Sequence, residues 1–248
     1  MANLTKGNLP GFDISKVKER DAFFNILLYG EPGVGKTVLA GSSDAVPEMR
    51  PALLVDMEGG VGSLRHTYPD IDVVRIKSWD EMQTLYDALC DTDHGYRTII
   101  IDSLSETQKF NMNTIMQNTD SVKLGKQHVD VPSPREWGIN LNQMRKFVRA
   151  FRDLDCNTIF TAHEMLLVDD MTGKSSVKPA FSGKLANEIA GFLDEVFYMY
   201  VIKKGDKNLR CILTGKTEKQ VAKDRSGKLP IVIEDPTMKI IYSLMNSE

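Results

Sequence analysis

The sequence predicts an α/β protein: a mostly parallel central sheet flanked by helices, with an antiparallel β-hairpin extension at the C-terminal side. Three observations predict it. Short aliphatic and β-branched runs alternate with helical patterns through the first two thirds of the chain. Those runs are near-continuously apolar, as strands buried on both faces require. After His163 the pattern changes to strand pairs separated by turn residues.

The elements follow in order. FNILLYG, Phe24–Gly30, reads as a buried strand, and a helix opens at Gly35. ALLVDM, starting at Ala52, and DVVRI, Asp72–Ile76, read as two more strands. SWDEMQTLYDALC is a helix, because Ser78 supplies an N-cap and Trp79, Met82, Leu85 and Leu89 share one face. RTIIIDS, ending at Ser103, is a fourth strand, INLNQMRKFVRAFRDL is an amphipathic helix, and Asn157–His163 is a fifth strand. EVFYMYVIKKGDKNLRCILTGK then reads as a hairpin turning at Gly205–Asn208, and LPIVIEDPTMKIIYSL as a second turning at Asp235–Thr237. A single domain is expected over residues 23–248, preceded by an N-terminal arm, residues 1–22.

Composition excludes several classes. A chain of 248 residues with 42% hydrophobic and 26% charged residues matches a globular protein. No apolar run approaches the roughly 18 residues of a membrane span. The N-terminal stretch lacks the apolar core of a signal peptide. Three cysteines, far apart and odd in number, indicate reduced thiols and a cytoplasmic location. The four histidines show no zinc-ligand spacing. A net charge of -3 leaves nucleic acid open, because binding can be carried by local basic loops.

GEPGVGKT, Gly30 to Thr37, fits G-x-x-x-x-G-K-[ST] and lies between a strand and a helix, the context its mechanism needs. Gly30, Gly33 and Gly35 let backbone N–H groups curl toward phosphate oxygens, and the following helix adds its positive end. The expected nucleotide-binding residues are Gly30, Glu31, Pro32, Gly33, Val34, Gly35, Lys36, Thr37 and Val38. Lys36 should reach the β and γ phosphates, and Thr37 should hold Mg2+.

Two strands end in acid. Mg2+ on the phosphates needs a carboxylate at the end of a neighbouring strand, and hydrolysis needs a base to orient water. Asp102 is the candidate for the metal. Ser103 follows it, so no adjacent acid can serve as base, and Glu58 in LLVDMEGGVG is the best candidate. Asp56 is left as a structural or supporting group.

These residues resemble a known family. A P-loop, an apolar strand ending D-x-E and an apolar strand ending DS together look like the RecA-like recombinase core, a P-loop NTPase fold. GEPGVGKT, DMEGG, IIIDSLSE, REWG and IFTAHE are similar to the small phage-encoded RecA-like ATPases of single-strand annealing and recombination. The resemblance covers residues from about Asn25 to about Gly227. It implies ATP and Mg2+ as cofactors, Glu58 as catalytic base and Asp102 as the metal acid. It also implies His163 as a γ-phosphate sensor. Lys223 and Arg225 in AKDRSG match a K-x-R element that reaches into a neighbouring subunit's ATP site, so the protein should act as a homo-oligomer. Single-stranded DNA would be the substrate partner, with a single-strand-binding protein as a further partner.

In that family two loops grip DNA. The matching stretches are NTDSVKLGKQHVDVPSPRE, with Lys123, Lys126 and Arg135, and MLLVDDMTGKSSVKPAFSGK, with Lys174, Lys178 and Lys184. Both are long and polar, and Phe181 is the only aromatic ring in the second, so weak sequence preference and strong salt dependence are expected. The same core serves hexameric ring helicases and translocases, which is the alternative reading. A small-molecule kinase fits less well, because the chain has no Arg-rich lid motif and two strands intervene before the metal acid. A nucleotide-gated binding protein with negligible turnover is a fourth reading.

Overall fold

The computed structural model describes residues 23–169 and 173–247, so the expected arm at residues 1–22 lies outside them. The strands are β1 (Asn25–Gly30), β2 (Ala52–Asp56), β3 (Asp72–Arg75), β4 (Thr98–Asp102), β5 (Asn157–Val168), β6 (Ser175–Pro179), β7 (Glu195–Lys204), β8 (Lys207–Leu213), β9 (Lys223–Asp224) and β10 (Val232–Glu234). The helices are α1 (Lys36–Gly41), α2 (Trp79–Asp91), α3 (Leu104–Asn118), α4 (Asp120–Lys123), α5 (Pro134–Arg152), α6 (Leu185–Phe192) and α7 (Met238–Met245). The strands form one sheet in the order β10-β8-β7-β1-β5-β4-β2-β3, with β6 added to β5 and β9 to β7. From β7 to β3 every neighbour is parallel, and the antiparallel partners are β6, β8, β9 and β10.

This is the mostly parallel α/β arrangement, with an antiparallel extension on the C-terminal side, that the strand pattern predicts. The central strands are apolar throughout because each face meets a different core. Leu27, Tyr29, Ile99 and Ile101 point into a layer with Trp79, Phe147, Phe151 and Ile189, on the side of α2, α5 and α6. Ile26, Leu28 and Ile100 alternate with them and meet Leu39, Met238 and Ile241, on the side of α1 and α7. Trp79, Met82 and Leu89 are buried along α2, and the Ser78 hydroxyl accepts from the Glu81 N–H at 3.2 Å, as the N-cap reading requires.

Four segments depart from expectation. The second C-terminal hairpin is half helix: β10 is followed by α7, because Thr237 caps the N-terminus and Met238, Ile241 and Met245 recur at helical spacing and are buried. Helix α5 begins earlier than read, at Pro134, where Ser133 and Glu136 form a reciprocal capping box. Helix α3 escapes a hydrophobic reading because it buries amides: Gln108, Asn111 and Asn140 are closed off from water and bonded to one another and to Gln143 across the α3–α5 contact. Finally, β5 runs on to Val168 and pairs antiparallel with β6. The second expected DNA loop is therefore mostly a hairpin.

At the far end of the sheet Glu195 is 1% exposed, and its Oε1 accepts the N–H groups of Arg225 and Ser226 at 3.2 and 3.3 Å. Burial, with Asp224 close by, pushes its carboxyl up to about 8. The native state thus holds a proton that the unfolded chain releases at a lower pH, so this group's contribution to stability is fully present below the ordinary carboxylate range and is lost as pH rises through about 8. Denaturant melts at stepped pH should show this decline, and Glu195→Gln should flatten it; an unchanged slope would contradict the assignment.

Candidate active site

The phosphate loop joins β1 to α1, and its backbone explains its glycines. A side chain at Gly30 would meet the Met199 carbonyl oxygen at 2.2 Å, so the loop leaves β1 pressed against β7. Gly35 enters α1 at φ 108, a left-handed conformation that other residues resist. Lys36 is 8% exposed, and its Nζ donates to the carbonyls of Gly30 and Glu31 at 2.9 and 2.8 Å. Burial lowers the pKa of this ammonium, while Asp102, Glu58 and Glu164 act in the opposite sense. An anion laid on the loop would relieve that desolvated charge.

The two acid-ended strands are neighbours, and Asp56 stands directly opposite Asp102 in the β2–β4 register. Asp102 is 4% exposed. Its Oδ2 accepts the Thr37 hydroxyl at 2.7 Å, and its Oδ1 accepts the Thr161 hydroxyl of β5. Burial raises its pKa, the two hydroxyl donors lower it, and Glu58 and Asp56 raise it further. A hydroxyl and a carboxylate paired in this way suit a hard, oxygen-seeking cation beside the phosphates. Thr37 and Asp102, the two expected Mg2+ residues, do come together. Thr161 was missed; the signal was a polar residue inside an otherwise apolar buried strand.

Asp56 does a different job. Its Oδ1 accepts from the N–H groups of Glu58, Gly59 and Gly60 at 3.2, 2.7 and 3.2 Å, and its Oδ2 pairs with Arg75. It therefore shapes the turn that carries Glu58, which is the supporting role foreseen for it. Glu58 then reaches toward the end of β4 and the middle of β5. Its Oε1 lies 3.0 Å from His163 Nε2 and accepts the Ser103 hydroxyl. His163 faces Gly30 in the β1–β5 register, beside the start of the phosphate loop. Ligand atoms of Glu58, Glu106 and His163 lie within 4.8 Å of one another, the one such cluster among the described residues. Ser103 and Glu106 are further residues at this site that the sequence did not single out.

The remaining candidates lie elsewhere. Lys223 opens β9 and Arg225 follows it, and β9 pairs with the start of β7, the same level at which β1 begins. They therefore lie toward the end of the strands where β1 starts, whereas the phosphate loop follows the other end of β1. Lys223 Nζ donates to the carbonyls of Ala190 and Leu193 at 2.9 and 2.6 Å, near the end of α6, and Arg225 pairs with Asp194. Of the expected DNA residues, Lys123 ends α4, Lys126 follows it, and Arg135 is in the first turn of α5, all exposed. Lys174 and Lys184 are exposed, and Lys178 on β6 donates to Asn187 at 2.9 Å. Phe181 is buried in the core at 2% exposure, so it is no stacking platform.

A family profile described as an AAA domain (AAA_24) matches residues 22–226. The chain belongs to this family. The match takes in the phosphate loop, both acids, His163 and the Lys223–Arg225 element of this AAA domain. Among solved structures, a KaiC-like protein, PH0186, from Pyrococcus horikoshii OT3 is similar at 16% identity, with 77% of each chain covered and a TM-score of 0.43. No curated protein sequence matches the chain significantly. Among the described residues no helix is long and apolar enough to cross a membrane.

Thr161→Val keeps the shape of the buried side chain and removes one donor from Asp102. It should raise the Mg2+ concentration needed for half-maximal nucleotide binding by roughly ten-fold, the usual cost of losing a group that orients a metal ligand. A Mg2+ titration of nucleotide affinity checks this, and an unchanged requirement would dismiss Thr161 as a metal-site support.

Proposed function

We propose that this AAA domain binds and hydrolyses ATP, and that it acts as an oligomer on single-stranded DNA in recombination of the phage type, by annealing or strand exchange. The observation that carries the hydrolytic part is the division of labour between the two acids. Asp102 is buried against Thr37, beside the phosphate loop, whereas Glu58 is more open and paired with His163. A buried acid tied to the loop threonine suits Mg2+, and a more exposed acid at the strand ends suits a base that activates water.

When bound, Mg2+ would neutralise phosphate charge and polarise the γ-phosphoryl group. The chain's own residues do the rest. The backbone of Gly30–Thr37 cradles phosphate oxygens, Lys36 adds a positive charge, Glu58 draws a proton from the attacking water, and His163 reads the γ-phosphate from the next strand. Lys223 and Arg225 would complete a neighbour's site, a role supported by their position at the end of the strands where β1 starts, away from the end that carries the phosphate loop. Their present bonds to carbonyls and to Asp194 would be exchanged on assembly. Lys123, Lys126, Arg135, Lys174, Lys178 and Lys184 would contact the DNA backbone, making binding steeply salt-dependent. A single-strand-binding protein is a further proposed partner.

ATP turnover measured with and without single-stranded DNA, at stepped salt, tests the reading. Glu58→Gln should still bind MgATP but lose roughly 10²-fold or more of its turnover. Lys36→Ala should lose binding. Mixing Glu58→Gln with Arg225→Ala subunits should restore part of the turnover if the Lys223–Arg225 element acts between subunits, because some mixed interfaces then carry both groups intact. Absence of DNA stimulation and of DNA binding at low salt would contradict the DNA role.

A further inference from the structure

Ser103 follows the metal acid directly and lies 1% exposed at the junction of β4 and α3. Its side chain does two things at once. The oxygen accepts the Glu106 N–H at 3.4 Å, which makes Ser103 the N-cap of α3. The hydroxyl proton goes to Glu58 Oε1. A hydroxyl has a single proton and two lone pairs, so the cap contact takes a lone pair and leaves the proton for the carboxylate. The helix start thereby sets where that proton points.

The rest of the Glu58 environment converges on the same oxygen. His163 Nε2 is 3.0 Å from Oε1, and the backbone under Glu58 is pinned by Asp56 through the N–H groups of Glu58, Gly59 and Gly60. Glu58 itself stands on a turn with a quarter or more of its side chain open to solvent, where a free carboxylate would sample several rotamers. We infer that Ser103 is a positioning residue for Glu58, holding Oε1 so that Oε2 is the oxygen offered to the attacking water. The proposal rests on the reading of Glu58 as the base. It also gives the residue after the metal acid a function: in place of a base it supplies the donor that orients one from the next strand.

The test separates positioning from capping. Glycine is nearly as good an N-cap as serine but has no hydroxyl, whereas threonine keeps both functions. Ser103→Gly should lower kcat roughly ten- to hundred-fold, the scale of a misplaced catalytic group, with KM for MgATP and Tm close to wild type. Ser103→Thr should retain most of the turnover. In the Glu58→Gln background Ser103→Gly should cost little more, because a group that acts through Glu58 has nothing left to position. Turnover of Ser103→Gly equal to wild type, or a loss that adds in full to that of Glu58→Gln, would overturn the inference. So would a parallel loss of MgATP binding, which would assign Ser103 to the metal side instead. If the glycine variant does not fold, Ser103→Ala carries the same comparison, with Tm read alongside. Wild-type turnover surviving in Glu58→Gln would instead refute the base assignment, an outcome read from that variant alone.

Discussion

Asp102 is the carboxylate on which the site is built. It is almost closed off from water, and an unpaired charge in that position would be expensive. Two hydroxyls meet it, Thr37 from the start of α1 and Thr161 from the middle of β5. That single side chain therefore ties together the phosphate loop, β4 and β5, the strand that carries His163. The same low-dielectric setting that raises its pKa makes it a strong partner for a cation. A core packed on both faces of the sheet keeps these strand ends from drifting, so the geometry needs no long loop to hold it.

The neighbouring carboxylates are kept distinct by small differences in support. Asp56, opposite Asp102 in the sheet, spends its lone pairs on three backbone N–H groups and on Arg75. It is thereby removed from the chemistry and becomes the foundation of the turn above it. Glu58, two residues on, remains partly open and is approached by a serine and a histidine on one oxygen. Strand β5 carries both Thr161 and His163 and then continues into the hairpin with β6. Whatever engages that hairpin is mechanically continuous with the residues that touch Glu58 and Asp102.

Much of this was legible in the chain. The phosphate loop, both acid-ended strands and the parallel order follow from motifs and apolar runs whose physical causes are local. What stayed hidden depends on tertiary partners. Helix α3 buries Gln108 and Asn111 alongside Leu104, Met112, Ile115 and Met116, so its inward face is mixed and lacks a clean apolar period. The β5–β6 hairpin carries Leu166, Leu167 and Val168 exposed and lysine on the pairing strand, which in sequence resembles a polar loop. Helix α7 holds two adjacent isoleucines that favour a strand reading until Thr237 and the i, i+3, i+7 burial of Met238, Ile241 and Met245 are seen. Thr161 and Ser103 are short polar residues whose roles appear only once β2, β4 and β5 are laid side by side.

In the proposed reaction Asp102, at the end of β4, holds the metal, and Glu58, on the turn after β2, activates water. The most direct measurement is Mn2+ binding, followed by electron paramagnetic resonance in the presence of ATP, on Asp102→Asn and Glu58→Gln with turnover measured on the same samples. Asp102→Asn should lose nucleotide-dependent Mn2+ affinity, whereas Glu58→Gln should bind Mn2+ and ATP as wild type does and fail to turn over. Wild-type Mn2+ affinity in Asp102→Asn, or lost Mn2+ affinity in Glu58→Gln, would contradict that assignment.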